Sequence, residues 1–163
     1  MPQTPSFTRR WAFSWRWPPF PFIRRLSLPA CEEVNEELID AILGEASKFS
    51  EEVVAPLNSI GDEAGCQLLE NGEVRTPPGF KEAYQQYVES GWPALDQPAR
   101  YGGQDLPMSI GTPVREMNGT ANWSWAMYPG LSHGAMETIE EHGSDDEEEL
   151  HGVHRRRSVR RDG

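Results

Sequence analysis

The feature that most limits the possible folds of this chain is the spacing of apolar residues between Glu32 and Leu57. Apolar side chains recur there at steps of three or four residues or their multiples: Val34, Leu38, Ile42, Phe49 and Val53, with Ala41, Ala46 and Leu57 near the same stripe. This spacing predicts an amphipathic helix with glutamates on its outer face. The acidic first turn suits the positive end of the helix dipole, and Pro56 is expected to help end the helix.

Adjacent carboxylates in this helix, such as Glu51 and Glu52, have two interpretations. They are the residue types of acid–base catalysis, but neighbours in sequence point in different directions on a helix. We therefore interpret them as part of a solvated face.

The next segment combines turn signals with a second helix. Asn71-Gly72 lies between short runs that contain apolar residues, and both residues tolerate positive φ, so the pair predicts a β-hairpin. A short helix follows, with four apolar or aromatic residues on one face: Phe80, Tyr84, Tyr87 and Val88. Gly91 lies where the C-terminal cap of this helix is expected.

The stretch "ARYGGQDLP" (Ala99–Pro107) contains two adjacent glycines, which raises the question of a phosphate-binding loop. Such a loop needs a preceding strand and, in its commonest form, a lysine after the glycines. Gln104 and Asp105 follow the glycines instead, and a carboxylate repels phosphate. We predict a tight loop before a helix that begins near Pro107–Met108.

The remaining body predicts further helices in close contact. Small and large residues alternate there and are expected to be buried: Gly119, Ala121, Trp123, Trp125, Ala126 and Met127. The segment "HGAMETIEEHG" is expected to be helical, with Met136 and Ile139 inward and Gly143 as its stop. Ser144 and Glu147 have the spacing of a capping box that opens another helix.

Charge divides the 163 residues into three parts. Residues 1–30 contain five arginines and no acid, residues 155–161 contain five more arginines, and Cys31 to Leu150 has 25 acidic against five basic residues, a net charge of about −20. The length suits one domain, which we place at 31–150 with basic segments at 1–30 and 151–163. Since the acidic centre repels nucleic acid, no nucleic-acid partner is predicted unless the ends alone bind it.

Several interpretations of the basic ends stay open. Paired arginines near the start suggest twin-arginine export, but Arg16 and the prolines interrupt the apolar core that a signal peptide needs. Contact with an anionic membrane surface and a disordered leader are the alternatives, and we favour disorder. The tail is interpreted as a solvated basic segment, a localisation or nucleic-acid patch, or a stretch translated out of frame; His151 and His154 are a weak metal signal.

Only two cysteines are present, Cys31 and Cys66, and they fit neither a metal-ligand spacing nor a secreted disulfide framework. We therefore predict free, non-catalytic thiols, no metal site and a cytoplasmic location. No apolar run reaches the length of roughly 18 residues that a membrane-spanning helix needs.

Four strings together resemble the N-terminal α-helical domain of the acyl-CoA dehydrogenase superfamily, in the methylmercaptopropionyl-CoA dehydrogenase-like branch. They are "KFSEEVVAPLN", "GDEAGCQLLENGEVRTPPGFKEAYQQYVESGW", "ARYGGQDLP" and "AMYPGLSHGAMETIEEHGS". Their order and spacing, from about Cys31 to Glu149, make the match specific. The glycine pair resembles the Tyr-Gly-Gly turn of this family. The implied fold class is all-α with one short β-hairpin, flanked by disordered basic ends.

The resemblance implies FAD-dependent oxidation of an acyl-CoA thioester at its α and β carbons, with a glutamate as base. In the family, a β domain and a C-terminal helical domain hold the flavin, and the latter supplies the base. No catalytic or cofactor-binding residue is therefore assigned here, and this chain alone is expected to hold no FAD.

The substrate-pocket residues implied by the resemblance are Met127, Tyr128, Pro129, Gly130 and Leu131, near the end of a helix. The competing interpretation is that Met127 and Leu131 belong to the core and Tyr128 to an interface. His133 is expected to be a helix cap or surface residue rather than a substrate contact.

Departures from the family pattern lead to two rival hypotheses. The helical lead-in upstream of about Leu28 is missing, and downstream of Leu150 the family continues toward flavin-binding strands. One permitted codon choice for the tail, read one nucleotide later, gives Met-Glu-Ser-Ile-Val-Gly-Gly, which resembles that continuation better. The first hypothesis is a truncated or frame-shifted dehydrogenase chain, inactive alone, whose partners are acyl-CoA in the intact parent, the missing domains or a second copy. The alternative is a stand-alone helical protein-interaction module.

Overall fold

A computed structural model describes residues 34–144. Its elements, in chain order, are α1 (Glu36–Phe49), a π-helical turn (Ser50–Val54), α2 (Leu57–Ala64), β1 (Gln67–Leu68), β2 (Val74–Arg75), α3 (Phe80–Glu89), 3₁₀ turns at Trp92–Ala94 and Ala99–Tyr101, α4 (Met108–Ala121) and α5 (Trp123–His142). The predicted fold class, mainly helical with one short hairpin, is confirmed. The predictions for residues 1–30 and 151–163 lie outside the described residues, as do Cys31 and the capping-box residue Glu147.

The first predicted helix is present, but its buried stripe is shifted by one position. Asn35 caps α1 by accepting a hydrogen bond from the Leu38 amide at 2.8 Å. Ile39, Leu43 and Ala46 are buried, whereas Leu38 is exposed. The predicted inward position of Leu38 is wrong, whereas Val34 and Ile42 are partly buried against the cluster that α1 forms with Ile110, Val114 and Met117 of α4.

The end of this helix contains two features that the apolar spacing does not predict. The helix widens into the π-helical turn at Ser50, and after Pro56 the chain resumes as α2 instead of a loop. Pro56 marks the boundary as predicted, because its ring is compatible with a helix start but not with a helix interior.

The hairpin, the glycine-rich loop and the cap of α3 are all where the sequence places them. Gln67 pairs with Arg75 and Leu68 with Val74, and Gly72 has a φ of 83° in the turn. Gly91 follows α3 with a φ of 80°. The Tyr-Gly-Gly turn leads into α4, which begins directly after Pro107.

The core consists of two apolar clusters that share Trp92 at their border. The first centres on Trp125, which is fully buried and whose indole Nε1 donates to the Phe80 carbonyl at 3.2 Å. Its remaining buried members are Phe49, Val54, Leu57, Phe80, Ala83, Tyr87 and Ala121. The second lies between α1 and α4 and includes Leu95 from the connecting turn. Together the clusters fix α3, α4 and α5 relative to one another.

One residue, Asn122, separates α4 from α5. The expected burial of Trp123 is wrong: it is 70% exposed. A residue two positions before Trp125 lies about 200° away around a helix, so both cannot face the core. α5 runs on to His142 with Gly143 as its stop, and Met136 and Ile139 are half-buried, as predicted.

Candidate functional site

A cavity of about 170 Å³ lies between α3, α4, α5 and the turn at Trp92–Ala94. Four aromatic residues and two methionines supply most of its apolar wall: Tyr84, Tyr87, Trp92, Trp123, Met127 and Met136. Asp96, Arg115, Asn118 and His133 contribute the titratable and amide groups. An apolar cavity with a few convergent polar groups is the usual form of a small-molecule site.

Asp96 and Arg115 form an ion pair in the cavity wall. Arg115 Nη1 donates to Asp96 Oδ2 at 2.6 Å, and the Asp96 side chain is only 4% exposed. The carboxylate lies against Gly111 of α4, where a β-carbon would overlap it. The missing side chain thus allows the pair to form against the helix backbone, and the two charges compensate each other.

His133 lies beside this pair. Its Nε2 is 3.8 Å from Asp96 Oδ2 and 3.6 Å from Glu137 Oε1, and its Nδ1 is 3.4 Å from Gln97 Nε2. The expectation of a helix cap or surface position is wrong, because His133 is half-buried within α5. The i,i+4 spacing to Glu137 is visible in the sequence, but the contacts with Asp96 and Gln97 depend on the tertiary fold.

Asn118 is held in the cavity wall by the π-helical turn. Ser50 Oγ donates to Asn118 Oδ1 at 2.9 Å, and both residues are almost completely buried. Among the buried side-chain atoms of residues 34–144, Gln97 Oε1 and Asn122 Nδ2 have no hydrogen-bond partner. The sequence offers no signal for the Ser50–Asn118 pair, since the two residues are 68 positions apart.

Three of the five predicted pocket residues line the cavity: Met127, Pro129 and Gly130. Tyr128 and Leu131 are outside its lining; Leu131 is 68% exposed, and the Tyr128 hydroxyl is 3.8 Å from Cys66 Sγ. All five lie in the first half of α5, so their expected position near a helix end is wrong. Pro129 falls inside a helix that continues through it, which the sequence did not indicate. The assignment of these five residues to an acyl pocket stays a prediction.

Two tyrosines at or near the site, Tyr87 and Tyr128, have raised pKa values. Burial raises the pKa of Tyr87 above its ordinary value. Burial also raises the pKa of Tyr128, and the hydrogen bond with Cys66 adds to that effect. In the cavity lining, the charges of Asp96 and Arg115 compensate each other.

α5 carries an exposed apolar row, here called the α5 stripe, that consists of Trp123, Met127 and Leu131; the first two also line the cavity. Their spacing of four residues places them on one side of the helix. The stripe is 41% to 70% exposed. Apolar surface arranged in this way is typical of an interface.

The described residues do not fit FAD on their own. A volume of 170 Å³ is below the range of roughly 300–1,000 Å³ for cofactor pockets, and the one guanidinium in its lining already pairs with Asp96. A larger open groove between α1 and α3 carries Glu45 and Glu52 against Lys48, which is unsuited to a diphosphate.

Residues 34–144 contain neither a metal-binding cluster nor a membrane-spanning helix. No group of three or more histidine, cysteine or acidic side chains in this range is arranged to hold a metal ion. In the same range, no helix combines the length and apolar character needed to cross a membrane.

Comparison with known proteins relates the chain to acyl-CoA dehydrogenases, which confirms the predicted resemblance. It is 39% identical over 119 residues to 3-methylmercaptopropionyl-CoA dehydrogenase of Ruegeria pomeroyi, covering 73% of this chain and 20% of that protein. It is 31% identical over 111 residues to butyryl-CoA dehydrogenase of Syntrophomonas wolfei, covering 66% of this chain and 18% of that protein. The chain thus spans about a fifth of the length of these curated relatives. No protein-family model matches the chain.

Proposed function

We propose that residues 31–150 form the N-terminal helical domain of a flavin-dependent acyl-CoA dehydrogenase and that α5 forms part of the acyl pocket. The observation that carries this proposal is the similarity to two acyl-CoA dehydrogenases, together with the cavity that Met127, Pro129 and Gly130 line. FAD, the catalytic base and the electron acceptor belong to the intact enzyme. The 163-residue chain alone is expected to be colourless and inactive.

The part assigned to this chain is to position and enclose the acyl group. Aromatic and methionine side chains exclude water from the cavity, and a β-carbon at Gly130 would meet no atom within 4 Å. This free space on α5 leaves room for a short aliphatic group. The small cysteine content supports a cytoplasmic location for the enzyme.

The test is a chimera in which this chain's matching segment replaces the corresponding segment of the Ruegeria pomeroyi enzyme. We expect the chimera to bind FAD and to oxidise 3-methylmercaptopropionyl-CoA or butyryl-CoA. Introducing Gly130→Leu should then lower kcat/KM at least about tenfold, because the new side chain occupies the space assigned to the acyl group.

Gly44→Leu is the matched control, since Gly44 lies in α1 and a β-carbon there also meets no atom within 4 Å. A flavin-loaded chimera that binds no acyl-CoA would contradict the proposal. Equal effects of the two substitutions would contradict the role of α5.

The α5 stripe favours a second candidate, a helical module that binds another protein. The stripe exposes three large apolar side chains on one helix face. A module of this kind would be soluble and monomeric without its partner and would melt cooperatively, whereas a dehydrogenase segment is expected to associate through the same stripe. The oligomeric state of the purified chain separates the two.

A further inference from the structure

We propose that the open groove between α1 and α3 binds the basic, aromatic residues 9–25 of this same chain. The groove has a volume of about 550 Å³, against about 170 Å³ for the cavity described above. Within residues 34–144, Trp92 is the one residue that lines both. The proposal requires neither flavin nor acyl-CoA, so it stands or falls separately from the proposed function.

The first argument is the composition of the groove. Its apolar lining comes from α1, the π-helical turn and the connection after α3: Ala41, Ile42, Phe49, Val53, Trp92 and Leu95. Ile42, Val53 and Trp92 are only half-buried, so apolar surface on the floor of the groove is left for a partner to cover. Aromatic side chains supply large areas for such contacts. Residues 9–25 contain three tryptophans, at positions 11, 15 and 17.

The second argument is charge complementarity. Residues 34–144 contain 18 acidic and five basic side chains, whereas residues 9–25 contain five arginines and no acid. In the groove itself, Glu45 and Glu52 lie against Lys48. Because Lys48 Nζ already pairs with Glu45 Oε1 at 2.5 Å, Glu52 is the groove carboxylate that we assign to an arginine. A guanidinium binds a carboxylate with directed hydrogen bonds, and the opposite net charges draw the two parts of the chain together.

The third argument is the point at which the segment joins the described domain. Val34 packs against the second apolar cluster, and Trp92 and Leu95 at that cluster also line the groove. The chain from Arg25 to Val34 spans up to about 30 Å when extended. Glu52 is only about 24 Å from the start of α1 at a rise of about 1.5 Å per residue, so the whole groove lies within reach. Tethering raises the effective concentration of the segment, and a segment that is disordered by itself can order on binding.

Photocrosslinking of the full chain at low salt tests where the segment binds. The photoreactive residue p-benzoylphenylalanine replaces Trp15, and mass spectrometry maps the crosslinks in the monomer fraction after irradiation. We expect most crosslinks to fall on the groove, in the ranges 41–53 and 86–104. Since residues 34–144 are unchanged, this result does not depend on the stability of a variant of the described fold. Crosslinks mainly on the α5 stripe, crosslinks spread over the whole domain, crosslinks only between two copies, or none at all would each overturn the proposal.

A charge reversal tests the assigned ion pair in the same labelled chain. Glu52→Arg should reduce the groove crosslinks about two- to fivefold, because it places a like charge against the arginines of the segment. Glu63→Arg is the matched control, since Glu63 is exposed on α2 and lies outside the groove lining. Equal reductions in the two variants would overturn the assignment of this groove, because they would show attraction to the acidic domain in general. If Glu52→Arg does not fold, the crosslink map of the unchanged domain decides.

Discussion

Trp125 links α5 to two other parts of the first apolar cluster. Its ring centroid is 5.5 Å from that of Tyr87 and 5.9 Å from that of Phe49, and its indole nitrogen donates to the Phe80 carbonyl. Contacts with α3 and with the end of α1 therefore depend on one side chain of α5.

We expect Trp125→Ala to lower the free energy of unfolding by about 3–5 kcal/mol, because it leaves a large cavity and removes the indole hydrogen bond to the Phe80 carbonyl. Trp123→Ala should change it by less than about 0.5 kcal/mol, since Trp123 is 70% exposed. Urea unfolding monitored by circular dichroism measures both. Similar losses for the two variants would contradict the described orientation of α5.

Titration of Tyr87 is expected to lower the free energy of unfolding at alkaline pH. Burial raises the pKa of its phenol above the ordinary value of 10.0, so the unfolded chain releases this proton at a lower pH than the folded chain. The stabilisation is therefore fully present below pH 10 and is lost as pH rises above it, by up to about 1.4 kcal/mol per pH unit.

Tyr87→Phe removes the titrating group while keeping the ring. We expect the free energy of unfolding of this variant to fall less steeply between pH 9 and 11 than that of the unmodified chain. Urea unfolding at several pH values measures the slopes. Parallel slopes would show that Tyr87 titrates alike in the folded and unfolded chain.

At the residue scale, features set by neighbouring residues could be predicted from the sequence, whereas contacts between residues distant in sequence could not. The Asn71-Gly72 turn and the Gly91 cap were predictable because a local backbone requirement selects these residues. The contacts of Asn118 with Ser50 and of His133 with Asp96 were not, because tertiary packing brings these pairs together. Most contacts of the candidate site join residues that are distant in sequence, so the sequence alone did not predict which residues form the site.

At the scale of elements, Asn122 both ends α4 and begins α5. The side-chain Oδ1 of Asn122 accepts from the Trp125 backbone amide at 3.0 Å. The backbone amide of Asn122 donates to the Asn118 carbonyl at 2.9 Å. Asn122 is 1% exposed, so water cannot replace these bonds easily.

Asn122→Ala should therefore lower the free energy of unfolding by about 1–2 kcal/mol, near the upper end for loss of a helix cap. Asn35→Ala removes the exposed cap of α1 and should cost less, because water can bind the freed amide. Asn122→Ser should restore part of the loss. Thermal unfolding of the three variants gives the comparison, and an equal loss at both caps would argue against the importance of burial.

Helix existence was easier to predict than helix detail. The apolar spacing predicted α1, α3 and the later helices. It predicted neither the π-helical turn nor the continuation of α5 through Pro129. The π-helical turn coincides with a tertiary contact, the hydrogen bond from Ser50 to Asn118, which apolar spacing does not reveal.

At the scale of the whole molecule, the α5 stripe and the acidic charge oppose each other. The stripe favours association through apolar contact, while a formal net charge of −11 favours separation. Screening by salt weakens the second effect more than the first.

We therefore expect the full chain to self-associate increasingly as salt concentration rises. Leu131→Glu should reduce this association, whereas Val74→Glu, on the exposed hairpin, should have little effect. Sedimentation velocity at low and high salt measures the change. A monomer under all conditions would instead favour the protein-interaction module.

The junction at Asn122 also limits which changes of chain length this fold tolerates. With one residue between α4 and α5, there is no loop to absorb an insertion. Adding one residue just after Trp123 would turn the rest of α5 by about 100° relative to its cap. Trp125 would leave the core, and a different set of α5 side chains would face the cavity. Related chains that keep this core should therefore show no insertions or deletions at this junction, even where their surface loops vary in length.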